Sequence, residues 1–295
     1  MHTHAEVADG ADTPTTKALV WHDLFCGFGG TTVAAVMFSN EFFKGVTVEH
    51  VGIDSCKEAL GQWGANLKGV GHAFESVCTE IGETTVFDFS GSPDKTNYWH
   101  ASFPCTLFSN ARRGKQGDDE EKRALLTTMR NFFDAIATYD CTYWSFEEVP
   151  SGTIVALLDE FVQKHPTKIA YSTLCASAFG CPSDRRRLIA APPGAIKRLN
   201  EHAVERKSVN MAFDERGMVV PAPFVRNSNQ GAKTRDVHTS CFTLTSSHPL
   251  TWVDATNKTV RCMNTHESMV LMSFPSTPAW TPPTRHAQRD HCHWQ

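Results

Sequence analysis

The sequence has no CxxC pair, although it holds ten cysteines, at positions 26, 56, 78, 105, 141, 175, 181, 241, 262 and 292. Scattered thiols supply neither the spacing of a zinc site nor a disulfide framework, so no metal is expected and the chain reads as intracellular, from a reducing compartment of cytoplasm or nucleus. Long apolar runs are missing as well. The first residues, MHTHAEVADGADTPTTK, contain none, which reads as a disordered leader over 1–18 and not a signal peptide. No segment is long and apolar enough to span a bilayer, so no membrane association is expected. There are no internal repeats and no GxGxxG. Net charge is only −4, so the total does not announce a nucleic-acid binder. The local distribution differs: NARRGKQG (110–117), DRRRLI (184–189) and VRNSNQGAKTR (225–235) are basic stretches that, taken singly, read as solvated loops.

What is present suits an ordinary globular protein. A hydrophobic share of 41% and a charged share of 20% over 295 residues allow one large core that needs no disulfide. ALVWHDLFC is an apolar strand, GFGG a turn, and TTVAAVMFSNEFF a helical pattern. GVTVEHVGID, YWHASFP, CTYWSFEEV, KIAYSTLCAS and RRRLIAAPP read as further strands, with helices at SCKEALGQWGANL, EKRALLTTMRNFFDAIATY and TIVALLDEFVQKH between them. ESVCTEI reads as a turn. Alternation of this kind specifies an α/β domain with a mostly parallel sheet and helices on both faces, over 19–194. From 195 to 255 the pattern becomes irregular, which we read as a small second lobe of loops and short strands. Residues 256–295 form a C-terminal segment with one helix, THESMVLMSF.

Open parallel sheets bind ligands at the carboxyl ends of their strands. Gly27, Gly29, Gly30, Asp54, Cys105 and Glu147 all fall at or just past such ends. The glycine turn is either a tight strand-to-helix connection or a place where backbone approaches a nucleotide-like cofactor. Asp54 can cap the next helix, accept hydrogen bonds from ribose hydroxyls, or do both. Cys105 is either an inert core thiol or a nucleophile. A carboxylate such as Glu147 is costly at the end of an apolar strand unless it has a partner or a task. If the arginines of SDRRR open the next strand, Arg185 and Arg187 face one way and Arg186 the other, as a salt-bridged edge or as a fork for a carbonyl oxygen or phosphate.

In order and spacing these segments resemble the cytosine-specific carbon-5 DNA methyltransferase family. DLFCGFGG is similar to its first cofactor motif, SFPCTLFS to its Pro-Cys nucleophile motif, and FEEV to its Glu-Asn-Val motif. CPSDRRR is similar to its Gln-x-Arg-x-Arg motif and THESMVLMSFP to its late Phe-Pro segment, so the resemblance runs from about 19 to 276. It implies a Rossmann-like methyltransferase domain with a small target-recognition lobe, using S-adenosylmethionine on double-stranded DNA as a monomer. It also implies roles. Phe25, Gly27, Gly29, Gly30, Asp54, Ser76, Val77, Pro104 and Leu125 would line the cofactor. Cys105 would attack carbon 6 of a flipped-out cytosine, helped by Glu147, Arg185 and Arg187. Nearby arginines would activate the thiol. Ser109, Arg112, Arg113 and Lys115, in the loop after the nucleophile, would contact DNA.

The chain departs from the family pattern at four places. Thr106 and Ser183 replace glutamines, Glu148 replaces an asparagine, and a final Gly-Asn motif is not recognisable. A second carboxylate at 148 is expected to raise the pKa of Glu147 by like-charge repulsion. Two alternatives follow: a tRNA cytosine-5 methyltransferase, which CFT at 241–243 resembles in one branch, or a catalytically impaired DNA-binding relic. A nicotinamide dehydrogenase would leave Cys105, Glu147 and the arginines without a role.

Overall fold

The computed structural model describes residues 18–42, 46–90, 94–108, 119–227, 233–243 and 250–273. The expected strand–turn–helix opening is β1 (Ala18–Leu24) followed by α1 (Gly30–Phe42). It continues through β2 (Val48–Asp54), α2 (Lys57–Gly69), β3 (Ala73–Cys78) and β4 (Lys95–Ser102). A short 3-10 turn at Cys105–Leu107 precedes α3 (Asp119–Thr138), β5 (Trp144–Glu148) and α4 (Gly152–Lys164). Then come β6 (Ala170–Cys175), β7 (Arg186–Ala191) and α5 (Pro193–Glu201).

These seven strands form one sheet in the order β3-β2-β1-β4-β5-β7-β6. Neighbours from β3 to β5 run parallel. β7 enters antiparallel between β5 and β6. The fold is therefore α/β with a mostly parallel, seven-stranded sheet. The order reverses between β1 and β4, which opens a crevice at the carboxyl ends of the strands, the usual place for a ligand.

The core on one side is aromatic. Phe103, Phe132, Phe133, Trp144, Phe146 and Phe161 are almost fully buried. Their rings meet edge-on or tilted, with Phe133 and Phe146 centroids 5.0 Å apart and Phe132 and Phe133 5.4 Å apart. Each such side chain contributes about 1.5–3 kcal/mol on burial, so α3 and β5 are the firmest part of the domain. The other face closes through a polar chain. Trp63 Nε1 donates to Thr32 Oγ1 at 2.8 Å, and Thr32 Oγ1 donates to the buried Asp23 at 2.6 Å. This ties α2 and α1 to β1.

ESVC, read from sequence as a turn, is part of β3. Its residues are exposed except for the half-buried Val77, so an edge strand formed by backbone pairing left no hydrophobic period to read. After α5, where the sequence shows no strong period, the structure has regular elements. They are α6 (Val209–Asp214), β8 (Phe224–Asn227), β9 (Thr234–Asp236), β10 (Leu250–Val253), β11 (Thr259–Cys262) and α7 (Thr265–Leu271). The strands make a second, antiparallel sheet in the order β11-β10-β8-β9. Val209, Phe213, Val225, Phe242, Trp252 and Leu271 lie in its separate core. Eight of the described cysteines are free thiols. Cys56 is disulfide-bonded, against the expectation of thiols throughout. No helix among the described residues is long and apolar enough to cross a membrane.

Candidate active site

The glycine turn is strained in a way its sequence allows. Phe25, Gly27 and Gly29 all have positive φ, at 60°, 51° and 92°. This left-handed backbone is cheap for glycine and costly for Phe25, of the order of 1 kcal/mol. Asp54 at the end of β2 holds the turn. Its Oδ2 accepts from the Gly27 N–H at 2.9 Å and its Oδ1 from the Cys56 N–H at 2.8 Å. The two readings of Asp54 thus meet: it organises the start of α2 and fixes the turn, and a carboxylate still has acceptor positions to spare. Space is left where a Cβ on Gly27 or Gly30 would stand, with no atom within 4 Å of either. Val77 lies beside Ile53, and Ser76 beside Gly52, one strand further out. Phe25 packs on Phe103, centroids 4.6 Å apart, and Leu125 of α3 packs against the same core.

Cys105 opens the 3-10 turn directly after Pro104, which ends the run from β4 with φ −58°. Its neighbours come from two other strands. Glu147 sits opposite Ser102 in the β4–β5 register, and Ser102 Oγ donates to Glu147 Oε2 at 2.7 Å. The other oxygen, Oε1, meets Arg187 Nε at 2.6 Å and Arg185 at 3.7 Å. Arg186 is exposed on the opposite side, so the expected alternation along the strand is what the structure shows. The site also includes His100 on β4, buried, with Nδ1 against Ser145 Oγ at 2.7 Å and Nε2 against Thr31 Oγ1 at 3.2 Å.

The electrostatics differ from expectation in two respects. Burial opposes ionisation of Glu147, but Arg187 and Arg185, with the bond from Ser102, more than offset it and hold its pKa below the usual carboxylate value. The like-charge effect falls on Glu148 instead. Glu148 is wholly buried, and burial first, then the charge of Glu147, pushes its pKa up to about 8. The arginines lie on Glu147, so the residue they pair with stays ionised and the one without such a pair takes the proton. Nor do they activate Cys105 in this state. Burial raises its pKa, Glu148 and Glu147 raise it further, and Arg187 and Arg185 pull it down without prevailing.

Ser109, Arg112, Arg113 and Lys115 lie outside the described residues. Three residues of the site were not singled out from sequence. Ser102 matters through strand register, which no local pattern reveals. His100 is read as one more apolar-strand residue. Asp184, just before the arginines, links the end of the first sheet to the chain around β9. It accepts from Arg235 at 2.5 Å and from Ser240 at 2.7 Å, and its carbonyl accepts from Thr243 at 3.0 Å. Arg235 also lies over the Phe242 ring, 4.3 Å from its centroid.

No protein-family model matches the chain, and no curated protein matches it. Among solved structures it is similar to the Entamoeba histolytica methyltransferase EhMeth, with TM-score 0.46 and 16% identity over 67% of this chain and 60% of that one. S. pombe Dnmt2 methyltransferase gives TM-score 0.43 at 16% identity, again over 67% and 60%. A Spodoptera frugiperda DNMT2 mutant gives 0.39 at 19% identity, over 59% and 49%. The chain thus spans 60% or less of the length of these neighbours, and the likeness is one of partial fold that assigns no activity.

Proposed function

We propose that the chain is a methyltransferase that moves a methyl group from S-adenosylmethionine to carbon 5 of a cytosine flipped out of double-stranded DNA, with Cys105 as the transient nucleophile. One observation supports this most. A thiol, a carboxylate and two arginines from separate segments converge at the carboxyl ends of β4 and β5, beside a glycine turn and Asp54 on β1 and β2. A hydride-transferring site has no need of that group.

The turn suits a nucleoside-bearing cofactor: its backbone is open at Gly27 and Gly30, and Asp54 is held in place with acceptor capacity remaining. S-adenosylmethionine, when bound, supplies an electrophilic methyl group. The protein makes the cytosine ring accept it. Cys105 Sγ bonds to carbon 6, and the electron pair of the C5–C6 double bond moves towards carbon 5. Carbon 5 takes the methyl group as its bond to the sulfonium sulfur breaks, which would leave a neutral thioether, and carbon 5 then loses its proton to solvent. That electron pair re-forms the double bond, breaks the S–C6 bond and returns the thiolate. Ionised Glu147 accepts from the exocyclic amine, and Arg187 with Arg185 stabilises charge at the base carbonyl. Flipping costs a few kcal/mol of stacking and pairing, which contacts from Ser109, Arg112, Arg113 and Lys115 to the DNA would offset.

The test uses labelled S-adenosylmethionine with duplex DNA carrying 5-fluorocytosine, whose fluorine blocks the final elimination. A covalent, labelled adduct is expected, absent with Cys105→Ser. Adduct on tRNA and none on DNA would overturn the DNA assignment. No adduct on either, with no cofactor binding by calorimetry, would overturn the enzyme reading.

A further inference from the structure

The imidazole of His100 is buried within the site, yet no step of the chemistry just described uses it. It stands on β4, whose opposite face carries Trp99 and Ala101 of the aromatic core. A buried polar ring is costly unless its nitrogens find partners. Both do, and the partners are hydroxyls from two other elements. Nδ1 meets Ser145 Oγ on β5 at 2.7 Å, and Nε2 meets Thr31 Oγ1 in the first turn of α1 at 3.2 Å. Thr31 follows Gly30 directly, so it belongs to the helical turn onto which the glycine turn opens. Ser145 stands two residues before Glu147, on the same face of β5. Strand register pairs His100 with Ser145 and, one step along that face, Ser102 with Glu147. Side-chain hydrogen bonds close both pairs.

We infer that His100 is a positioning residue that clamps the glycine turn to the strand carrying Glu147, so that cofactor and base are held at one spacing. The inference rests on the proposed reading of the turn as the cofactor site and of Glu147 as the base-binding carboxylate. A group passes between two bound molecules only when their reacting atoms are held in near-attack geometry, and a misplacement of about 1 Å costs about 10²-fold. Imidazole suits the bridge because its neutral ring offers one donor and one acceptor, which two hydroxyls can match in either tautomer. Burial keeps the ring neutral by lowering its pKa to about 4. Thr32, next to Thr31, is bonded separately to Asp23 of β1, so α1 keeps an anchor when the His100 bond is lost.

Two conservative variants divide the bridge. The amide of His100→Asn reaches where Nδ1 stands, so it keeps Ser145 and loses Thr31. The amide of His100→Gln reaches the place of Nε2, so it keeps Thr31 and loses Ser145. Hydrogen exchange followed by mass spectrometry reads each side with no cofactor or nucleic acid present. His100→Asn should speed exchange about tenfold over residues 25–33, the size of one lost buried hydrogen bond, and leave 144–149 as they were. His100→Gln should do the reverse. Faster exchange in both segments with either variant, or in neither segment, would overturn the clamp. Methyl transfer then separates positioning from support of the fold. His100→Asn should raise the cofactor KM more than it slows the saturated rate. His100→Gln should slow the saturated rate about 10²-fold, with less change in KM. An equal loss in both parameters for both variants would overturn the positioning role. If the unaltered protein forms no 5-fluorocytosine adduct, the proposed function fails and the exchange pattern still decides the clamp.

Discussion

At the scale of single residues, the site turns on which carboxylate receives the arginines. Glu147 and Glu148 are neighbours in sequence and strands alternate their faces, so only one can meet Arg185 and Arg187. The Nε of Arg187 approaches Glu147 Oε1 at 2.6 Å, a directed contact that a lysine ammonium does not reproduce. Arg187→Lys should therefore retain charge but lose transition-state stabilisation, with the rate of methyl transfer falling about 10²-fold. Single-turnover measurement at saturating cofactor checks this, and an unchanged rate would remove Arg187 from the site. The position of Glu147 was legible in sequence because a carboxylate is costly at the end of an apolar strand, and Cys105 and the arginine pair stood out only through the motifs they resemble. Ser102 and the state of Glu148 were not: the first depends on a strand 45 residues away, and the second on burial that only the folded sheet creates.

At the scale of elements, β2 and α2 show how closely backbone and side chain meet. A Cβ on Gly52 would stand 2.8 Å from the ring of Trp63, which is itself fully buried and bonded to Thr32. Gly52→Ala is expected to destabilise by about 1–3 kcal/mol through overpacking. Gly61, exposed on the same helix with no atom near its missing Cβ, should behave oppositely. Gly61→Ala should stabilise by up to about 1 kcal/mol through helix propensity. Urea unfolding of the two variants separates these signs. The strand and helix series up to Ala191 was readable because each element carries its own hydrophobic period. The exposed β3 and the short strands of the second sheet do not, and they exist through backbone pairing and a shared core around Trp252.

At the scale of the whole molecule, buried titratable groups make stability depend on pH in a defined direction. Burial pushes His50 and His100 to about 4, so unfolded chains bind more protons below the ordinary histidine value of 6.5 and stability rises with pH up to there. Burial also raises Asp23 to about 7 and Glu148 to about 8, so the folded state holds these protons longer. Their contribution falls as pH rises from the ordinary carboxylate range, near 4, towards 8. The two effects oppose each other below 6.5, and only the carboxyls act above it. The urea midpoint should therefore drop between pH 6.5 and 8, and Glu148→Gln should flatten that drop. A midpoint that rises across this window would show that the carboxyls are not held neutral.

The linear order of residues determined the alternating architecture, the glycine turn, the strand ends that carry Asp54, Cys105 and Glu147, and the opposed faces of the three arginines. All of these follow from periods and chemistry along the chain. Tertiary structure alone decided the insertion of β7 between β5 and β6, which brings the arginines onto Glu147. It decided too that Asp184 accepts from Arg235 of β9, and that Cys105 is held with a raised pKa rather than an activated one. The physical reason is common to all three: hydrogen bonds, ion pairs and desolvation are set by distances in space, and sequence separation leaves those distances free until the sheet is assembled.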